Sequence, residues 1–395
     1  MRRFEHDSII SGIGQSAIGR RLGRSALELT TDACLAAIDD AGLQRFDIDG
    51  LCTYPGGDAS ITSGYGGPPP AAVQDALRLD LTWFQGSAEI PGQLGALVAA
   101  CLSISAGLTR HVLVYRTVTE STAQGAGTRG DVLPGTATKA SGIDYWTAPY
   151  GAVSAVNWLA PMAMRHFHRY GTTREHLGAI AASQRAFAAL NPAAPLRTPL
   201  TPADYLAARM ISTPLCLLDC DLPVDGSTAF VLSHSDFAPD TRHAPVYVEA
   251  VGTAMRGRPS WDQYDDVASM ASDGAAAHLW ERSALTPNDV DVAQLYDGFS
   301  ILALVWLESL GFCAKGEGGP FVASGAIGID GALPLNTFGG QLSAGRLHGF
   351  GHVHEACVQL RGAGGARQIQ GAAVAAVAND GGPITGCMLL TREMP

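Results

Sequence analysis

One short element occurs twice in this 395-residue chain, and it constrains the fold more than any other feature. The stretches "AIDDAGLQRFDIDGL" (37–51) and "ERSALTPNDVDVAQL" (281–295) each read as the end of a helix, a turn and a strand. The elements around the two copies follow in the same order, which indicates duplicated βαβ halves. We place the N-terminal half at 1–240 and the C-terminal half at 241–395, and we expect a site at the seam between them.

The alternation of strands and helices in the first half predicts a mainly parallel sheet. The first helix is predicted from about Ser25 to Asp40, with an apolar face that includes Leu27, Ala33, Leu35 and Ala36. From about 120 to 202 the chain becomes rich in Gly, Thr and Pro around two predicted helices. Insertions of this kind commonly cover an active site.

Composition excludes several classes of function. A net charge of -11 without any run of Lys or Arg argues against binding of nucleic acid. The sequence contains neither a signal-peptide core nor 18 consecutive apolar residues, so we expect a cytoplasmic protein that does not bind a membrane. Gly12 and Gly14 are followed by a glycine only at position 19, which misses the dinucleotide-binding spacing.

Cysteine and histidine spacing predicts no metal site. The eight cysteines are scattered, as expected for reduced thiols, and Cys216 and Cys220 lack a second pair to complete a zinc site. His166 and His168 lie two residues apart and would not share a helix face.

A glycine-rich segment from Asn336 to His352 carries most of the candidate site residues. This segment lies within "LNTFGGQLSAGRLHGFGHVHEACVQLRG" (335–362), which, together with "LYDGFS" (295–300) and "LGFCAKGEG" (310–318), resembles the thiolases. The resemblance is to their branch of nonspecific lipid-transfer and sterol carrier protein thiolases. It implies an α/β, five-layer αβαβα fold made of two duplicated βαβαβαββ halves. It also implies a homodimer that acts on coenzyme A thioesters, with the coenzyme A as part of the substrate and no covalently bound cofactor.

The cysteines on which thiolases depend are missing. The resemblance places the nucleophile near Ile90 in "SAEIPGQLG", the Gly-His-Pro motif at Gly345, and a late cysteine in "ANDGGPITG". This chain has no Cys at the first or the last place, and Arg346 follows Gly345. Cys101 lies inside a predicted helix and not at its start, so an acyl-cysteine mechanism is disfavoured.

Within that branch the chain is most similar to the steroid side-chain aldolases, which cleave β-hydroxyacyl-CoA thioesters by retro-aldol chemistry. Their two catalytic tyrosines correspond to Tyr296 in "YDGF" and to the position that Arg346 occupies here. We hypothesise that Arg346 lowers the pKa of Tyr296 or binds the thioester enolate, and that His348 supplies or relays the proton. His352 and His354 are expected to be surface or structural residues.

Substrate binding is assigned to the backbone around these groups. Gly339, Gly340 and Gly345 would let the main chain approach a ligand, Asn336 would order the turn, and Asp297 would cap the helix that follows it. The predicted function is a carbon–carbon lyase that releases a ketone and a short acyl-CoA, working with a separate OB-fold and zinc-ribbon partner. The alternatives are a Cys-independent acyltransferase or Claisen enzyme, and a non-catalytic homologue that binds acyl-CoA or lipid.

Overall fold

The computed structural model describes residues 3–56, 63–87, 90–127, 144–152, 154–255 and 266–395. No helix within these ranges is long and apolar enough to cross a bilayer.

Nine strands form one sheet, and two short strands form a separate hairpin. The strands are β1 (Ser8–Gln15), β2 (Gly50–Thr53), β3 (Trp83–Gly86), β4 (His111–Thr119), β5 (Met210–Ser212), β6 (Leu215–Cys216), β7 (Asp225–His234), β8 (Val246–Met255), β9 (Val292–Leu295), β10 (Val374–Asp380) and β11 (Ile384–Thr391). The order across the large sheet is β3-β2-β4-β7-β1-β8-β11-β10-β9, and β5 pairs with β6.

The sheet is mixed, so the prediction of a mainly parallel sheet is wrong. Among the strands of the described ranges, β2–β3, β2–β4 and β9–β10 are the parallel pairs, whereas β1–β7, β4–β7, β1–β8, β8–β11 and β10–β11 are antiparallel. The difference arises at the last strand of each half: β11 returns from β10 through a three-residue turn, and β7 enters between β1 and β4. A strand that returns through a tight hairpin must run antiparallel to its predecessor.

The duplication predicted from sequence is visible in the strand order. From the centre of the sheet outward, the strands of the first half have the order β1-β7-β4-β2-β3, so the first strand of this half lies beside its last strand. The second half reads β8-β11-β10-β9 by the same rule, and Leu335 continues it with a parallel bridge to Ala293. The two halves meet where Ile9 and Ile10 pair with Tyr247 and Val246. The exact boundary near residue 240 stays a prediction.

Helices surround these strands. They are α1 (Ala26–Asp40), α2 (Pro70–Leu77), α3 (Gly95–Ser105), α4 (Glu120–Gly125), α5 (Asp144–Thr147), α6 (Ala155–Tyr170), α7 (Arg174–Leu190), α8 (Pro202–Ala207), α9 (Ser272–Glu281), α10 (Ser300–Ser309), α11 (Gly318–Ala323), α12 (Gly340–Ser343) and α13 (Phe350–Leu360).

Three apolar cores produce the expected five layers. One core joins α1 and α2 to the outer face of the first-half strands. A second lies between the two sets of strands and is filled by α3 from the first half and α13 from the second. The third joins α9 and α10 to the outer face of the second-half strands. Each set of strands is therefore covered on both faces, as a duplicated α/β fold requires.

Helix α1 begins where the sequence predicted, but of the predicted apolar face it buries Ala33 and leaves the leucines exposed. The Ser25 side chain accepts from Glu28 N–H, and the Glu28 side chain accepts from Ser25 N–H, which forms a capping box. Leu27 and Leu35 are exposed, whereas Leu29, Cys34 and other residues of the opposite face are buried. Small residues such as Ala33 and Ala37 allow close packing on β1, so residue size decided the face more than hydrophobicity.

The excursion contains the two predicted helices, α6 and α7, although residues 128–143 and 153 lie outside the described part of the chain. These helices belong to the first half in sequence. They pack on the core around α10 in the second half, through residues such as Leu177 and Ile180. The excursion therefore joins the two halves beside the candidate site.

Candidate active site

Tyr296 lies at the carboxyl end of β9, at the edge where open α/β sheets bind ligands. Its main-chain N–H donates to the Ala378 carbonyl on β10 (2.9 Å), which continues the parallel β9–β10 pairing by one residue. The Tyr296 side chain is 9% exposed. The phenol is thus almost buried.

Asp297 is fully buried and connects three parts of the site. Its carboxylate accepts hydrogen bonds from the N–H groups of Gln341 (3.0 Å) and Leu342 (3.2 Å), and His352 Nε2 lies 2.9 Å away. Asp297 therefore binds the start of α12, so the prediction that it caps the following helix, α10, is wrong. A carboxylate at exposed helical N–H groups is favourable wherever the fold brings them together. Its direct binding of substrate stays a prediction.

Asn336 fixes the glycine-rich segment to β9. The side chain accepts from Leu295 N–H (2.7 Å) and donates to the Leu295 carbonyl (2.8 Å), and its own N–H donates to the Ala293 carbonyl. The residue is fully buried with φ +54°. These bonds give Asn336 the ordering role proposed from sequence, whereas direct contact with a substrate stays a prediction.

The predicted glycines allow the backbone to pass close to protein side chains. Gly339 and Gly340 have φ of +107° and +60°, and a Cβ at Gly340 would overlap the Asp297 carboxylate. Gly345 has φ +115°, and a Cβ there would overlap Val224. Only glycine adopts such conformations without strain. Their direct approach to a ligand stays a prediction.

Arg346 is held by two carboxylates from the first half. Its Nε and Nη2 bind both oxygens of Glu120 (2.9 and 2.6 Å), and its Nη1 lies 3.2 Å from Asp221. Burial opposes the charge, but Asp221 and Glu120 raise the pKa of Arg346 above its usual range. The guanidinium side chain is 14% exposed. Arg346 is therefore a fixed cation, paired in the bidentate geometry that only arginine provides.

His348 shares Glu120 with Arg346. Its Nε2 lies 3.3 Å from Glu120, and its backbone has φ +47°, which is uncommon for a residue with a side chain. Burial and the nearby Arg116 lower the pKa of His348 to about 3, against the opposing effect of Glu120. The imidazole is neutral at physiological pH, so it can accept or relay a proton but does not start as an acid.

The pKa of Tyr296 departs from the sequence-based hypothesis. Arg346 does lower it, as proposed, but burial raises it, and Asp221 and Asp380 raise it further. The result lies well above the ordinary value of 10. The predicted net lowering is therefore wrong, because desolvation and two carboxylates outweigh one guanidinium. Tyr296 is a protonated phenol that can donate a hydrogen bond or a proton.

Comparison with known proteins agrees with this geometry. The model of the thiolase C-terminal domain-like family matches residues 254–390. The steroid side-chain-cleaving aldolase of Thermomonospora curvata is 34% identical over 360 residues, which cover 89% of this chain and 90% of that protein. This chain belongs to the thiolase superfamily. Its place among the relatives of steroid side-chain aldolases is as the sequence predicted.

Two further relatives support this placement. The 17-hydroxy-3-oxo-4-pregnene-20-carboxyl-CoA lyase of Mycobacterium tuberculosis is 35% identical, with 89% of this chain and 91% of that protein covered. The solved structure of an Ltp2-ChsH2(DUF35) aldolase superposes with a TM-score of 0.87 at 30% identity and covers 99% of each chain. The thiolase fold expected from the sequence is confirmed.

The thiolase chemistry based on cysteine has no counterpart in the described site. Ile90 and Pro91 precede α3, while residues 88 and 89 of "SAEIPGQLG" lie outside the described residues. Cys101 is buried in α3, and burial raises the pKa of its thiol to about 12. In the late "ANDGGPITG" segment, Asp380 has φ +66°, and burial raises the pKa of its carboxyl group to about 6.

Several residues of this site were missed by sequence analysis. Glu120 begins α4 directly after β4, and Arg116 is fully buried within the otherwise apolar strand "HVLVYRTV". A charged residue in such a strand is a signal that could have been used, since a buried charge needs partners or a function. Tyr54 and Tyr65 come from the loop after β2 and carried no local signal.

Other polar residues have structural roles. Buried His166 contacts Glu308 and Thr172, and His352 contacts Asp297, in line with the structural role expected for His352. Within the described ranges, no cluster of His, Cys, Asp or Glu is arranged to hold a metal ion.

Proposed function

We propose that this chain is a carbon–carbon lyase that cleaves a β-hydroxyacyl-CoA thioester of a steroid side chain into a ketone and a short acyl-CoA. The observation that carries this proposal is a protonated phenol, Tyr296, and a neutral imidazole, His348, which both interact electrostatically with the same guanidinium, Arg346, while His348 faces the carboxylate of Glu120. Such a pair can remove one proton and deliver another without forming a covalent intermediate.

The reaction can be followed group by group. With its proton on Nε2, His348 donates to Glu120 and leaves Nδ1 to accept the proton of the substrate hydroxyl. The electron pair of the carbon–carbon bond moves into the thioester as an enolate, and the hydroxyl carbon becomes a ketone. Tyr296 then gives its proton to the enolate carbon, and the imidazolium returns a proton to the phenolate. Protons balance, and no free coenzyme A is consumed.

Arg346 has a positioning role in this scheme. Because it binds both oxygens of Glu120, the carboxylate keeps a fixed orientation towards His348. The guanidinium also lowers the pKa of Tyr296 against the effect of burial, and so makes the phenol a better proton donor than burial alone would leave it. An arginine at this place is therefore compatible with aldolase chemistry.

The partner and the oligomer belong to the same proposal. The structural relative is a complex with ChsH2(DUF35), so we propose that a separate OB-fold and zinc-ribbon protein assembles with this chain. We also propose a homodimer through β3, the edge strand of the sheet. Phe84 on β3 and Leu102 and Leu108 beside it are exposed, and an apolar sheet edge of this kind favours pairing with a second copy. Phe84→Glu should shift the molar mass from light scattering to that of a monomer.

The decisive experiment uses the CoA thioester named for the Mycobacterium relative, with and without a co-expressed DUF35 partner. We expect mass spectrometry to detect a ketone and a short acyl-CoA, and Tyr296→Phe to abolish both. Tyr170→Phe is the matched control, since Tyr170 is a partly buried tyrosine that packs on His166 away from the site. Turnover that requires free coenzyme A would instead support an acyltransferase, and binding without turnover a non-catalytic homologue.

A further inference from the structure

A second phenol, Tyr65, lies in contact with the catalytic segment. Its ring meets the His348 ring edge-on, with centroids 4.6 Å apart. The preceding residue, Gly64, has φ +80°, and its carbonyl accepts from Thr119 N–H (2.8 Å) immediately before Glu120. The first contact places Tyr65 of the first half against the second half, and the second ties its neighbour to the chain next to Glu120, although Tyr65 itself is still partly exposed.

The Tyr65 hydroxyl group is hydrogen-bonded to the hydroxyl group of a second tyrosine, Tyr54. The oxygens of Tyr54 and Tyr65 are 2.9 Å apart. This bond raises the pKa of Tyr54 and lowers that of Tyr65, although burial leaves both pKa values above 10. Either hydroxyl can donate in this pair, and when Tyr54 donates, Tyr65 is the acceptor. The Tyr65 proton then remains available to a third group, and a chain of two hydroxyls makes the terminal donor stronger.

A buried cation lies against both rings. The Arg116 guanidinium carbon is 4.9 Å from the Tyr65 centroid and 5.4 Å from the Tyr54 centroid, and Nη1 donates to the Tyr65 carbonyl (2.6 Å). The side chain is fully buried, and its Nε and Nη2 find no hydrogen-bond acceptor within the described residues. Leaving buried guanidinium N–H groups unsatisfied is costly, and such groups are found where a site awaits negative charge.

Tyr65 also belongs electrostatically to the group around Tyr296. Ionisation of Tyr65 would raise the pKa of Tyr296. Asp380 raises the pKa of both phenols, whereas Glu120 raises the pKa of Tyr65. Both phenols therefore lie in the field of Asp380, and the Tyr65 ring contacts the His348 ring. A ligand oxygen held beside His348 would meet the neutral Tyr65 phenol and the nearby Arg116 cation.

We propose that Tyr65 is a further catalytic residue, which donates a hydrogen bond to the thioester oxygen as the enolate develops. This inference rests on the proposed function. Tyr54 supports the Tyr65 hydroxyl, and the charge of Arg116 stabilises the negative charge across the tyrosine rings. No bond to the enzyme forms, and the Tyr65 proton stays on its oxygen throughout. The proton transfers remain those of His348 and Tyr296.

The test compares Tyr65→Phe, Tyr54→Phe and the double variant in steady-state cleavage of the same CoA thioester. Loss of a single oxyanion donor typically lowers kcat by about 100-fold, so we expect that effect for Tyr65→Phe, with KM within about threefold of wild type. Tyr54→Phe should lower kcat by about tenfold, because it weakens the donor without removing it. The double variant should be no slower than Tyr65→Phe alone, as expected for residues that act as one unit.

The controls separate this inference from the function on which it rests. Urea unfolding shows whether each variant is folded, and Tyr170→Phe reports the effect of removing a phenolic hydroxyl elsewhere. If wild type cleaves the thioester and Tyr296→Phe does not, but Tyr65→Phe keeps its kcat, the role of Tyr65 is overturned and the lyase stands. If the losses of kcat caused by Tyr54→Phe and Tyr65→Phe multiply in the double variant, Tyr54 and Tyr65 do not form a relay. If wild type cleaves nothing, the lyase function and the Tyr65 role both fail.

Discussion

Asp380 offers a measurable consequence of the way this site is built. Its carboxylate lies at the end of β10, accepts from Gly381 N–H (3.0 Å), and raises the pKa of Tyr54, Tyr65 and Tyr296. Burial raises its own pKa from 3.8 to about 6, against two backbone N–H groups. A shift of roughly two pH units corresponds to about 3 kcal/mol, at ~1.36 kcal/mol per unit. Because the side chain retains some contact with solvent, we expect about 2 kcal/mol.

The sign of the effect follows from proton binding. Between about pH 4 and 6 the folded protein holds a proton that the unfolded chain has released, so stability falls as the pH rises through this window. Above pH 6 the folded state carries the full cost of the buried carboxylate. The side chain in Asp380→Asn cannot ionise, so the stability of this variant relative to wild type should increase as the pH rises. Roughly half of the effect should already be present at pH 5.

Urea unfolding at pH 5 and pH 8 measures this difference directly. We expect the free energy of unfolding of Asp380→Asn, relative to wild type, to increase by about 1 kcal/mol between the two pH values. Asp330→Asn, at an exposed position, controls for the change in net charge. A relative stability that stays constant or falls with pH would refute the reasoning, since it would mean that Asp380 is not desolvated in the folded state.

Three further predictions concern the neighbouring groups. Gly340→Ala should cost more than about 2 kcal/mol in thermal unfolding, because its Cβ would overlap the Asp297 carboxylate at φ +60°, and an unchanged Tm would contradict this packing. Arg346→Ala should lower the free energy of unfolding in urea by about 3–5 kcal/mol and lower the cleavage rate. A variant with the stability and the rate of wild type would contradict the proposed role of the Arg346–Glu120 pair. Cys101→Ser should keep full turnover, and a thioester adduct on the wild-type protein in intact-mass spectra would restore acyl-cysteine chemistry.

The parts of the site that share one stretch of sequence could be predicted. Tyr296 and Asp297 follow a strand in a short motif, and Asn336, Gly345 and Arg346 lie within one glycine-rich segment, so these motifs and the resemblance that they carry were sufficient to single the residues out. Their roles in binding and catalysis stay predictions. The fold class was likewise predictable, because it depends on the order of elements and on their duplication. Both kinds of information are local in the chain, as hydrophobic periodicity and turn residues are.

The partners of these residues could not be predicted, because they come from the other half. Glu120 lies 226 residues before Arg346, and nothing near either residue indicates the other. The direction of the Tyr296 pKa also required the structure: sequence suggested one guanidinium, whereas burial and two carboxylates determine the outcome. The antiparallel direction of β7 could not be predicted for a related reason, since its pairing with β1 and β4 is set by long-range packing. The direction of β11 follows from the short turn after β10, a local signal that the sequence analysis did not use.

The charge balance of the site explains how an arginine can be accommodated at position 346, where the resemblance to the aldolases led us to expect a tyrosine. Arg346 is matched by the carboxylates of Glu120 and Asp221, so it adds no net positive charge next to the reacting atoms. The groups that remain to meet the substrate, Tyr296 and His348, are neutral. Neutral hydroxyl donors do not stabilise a charged ground state, but they do favour an enolate that forms only as the bond breaks. Under the proposed role of Tyr65, a second hydroxyl does not have to come from position 346, since the loop after β2 brings the Tyr65 ring to 4.6 Å from the His348 ring.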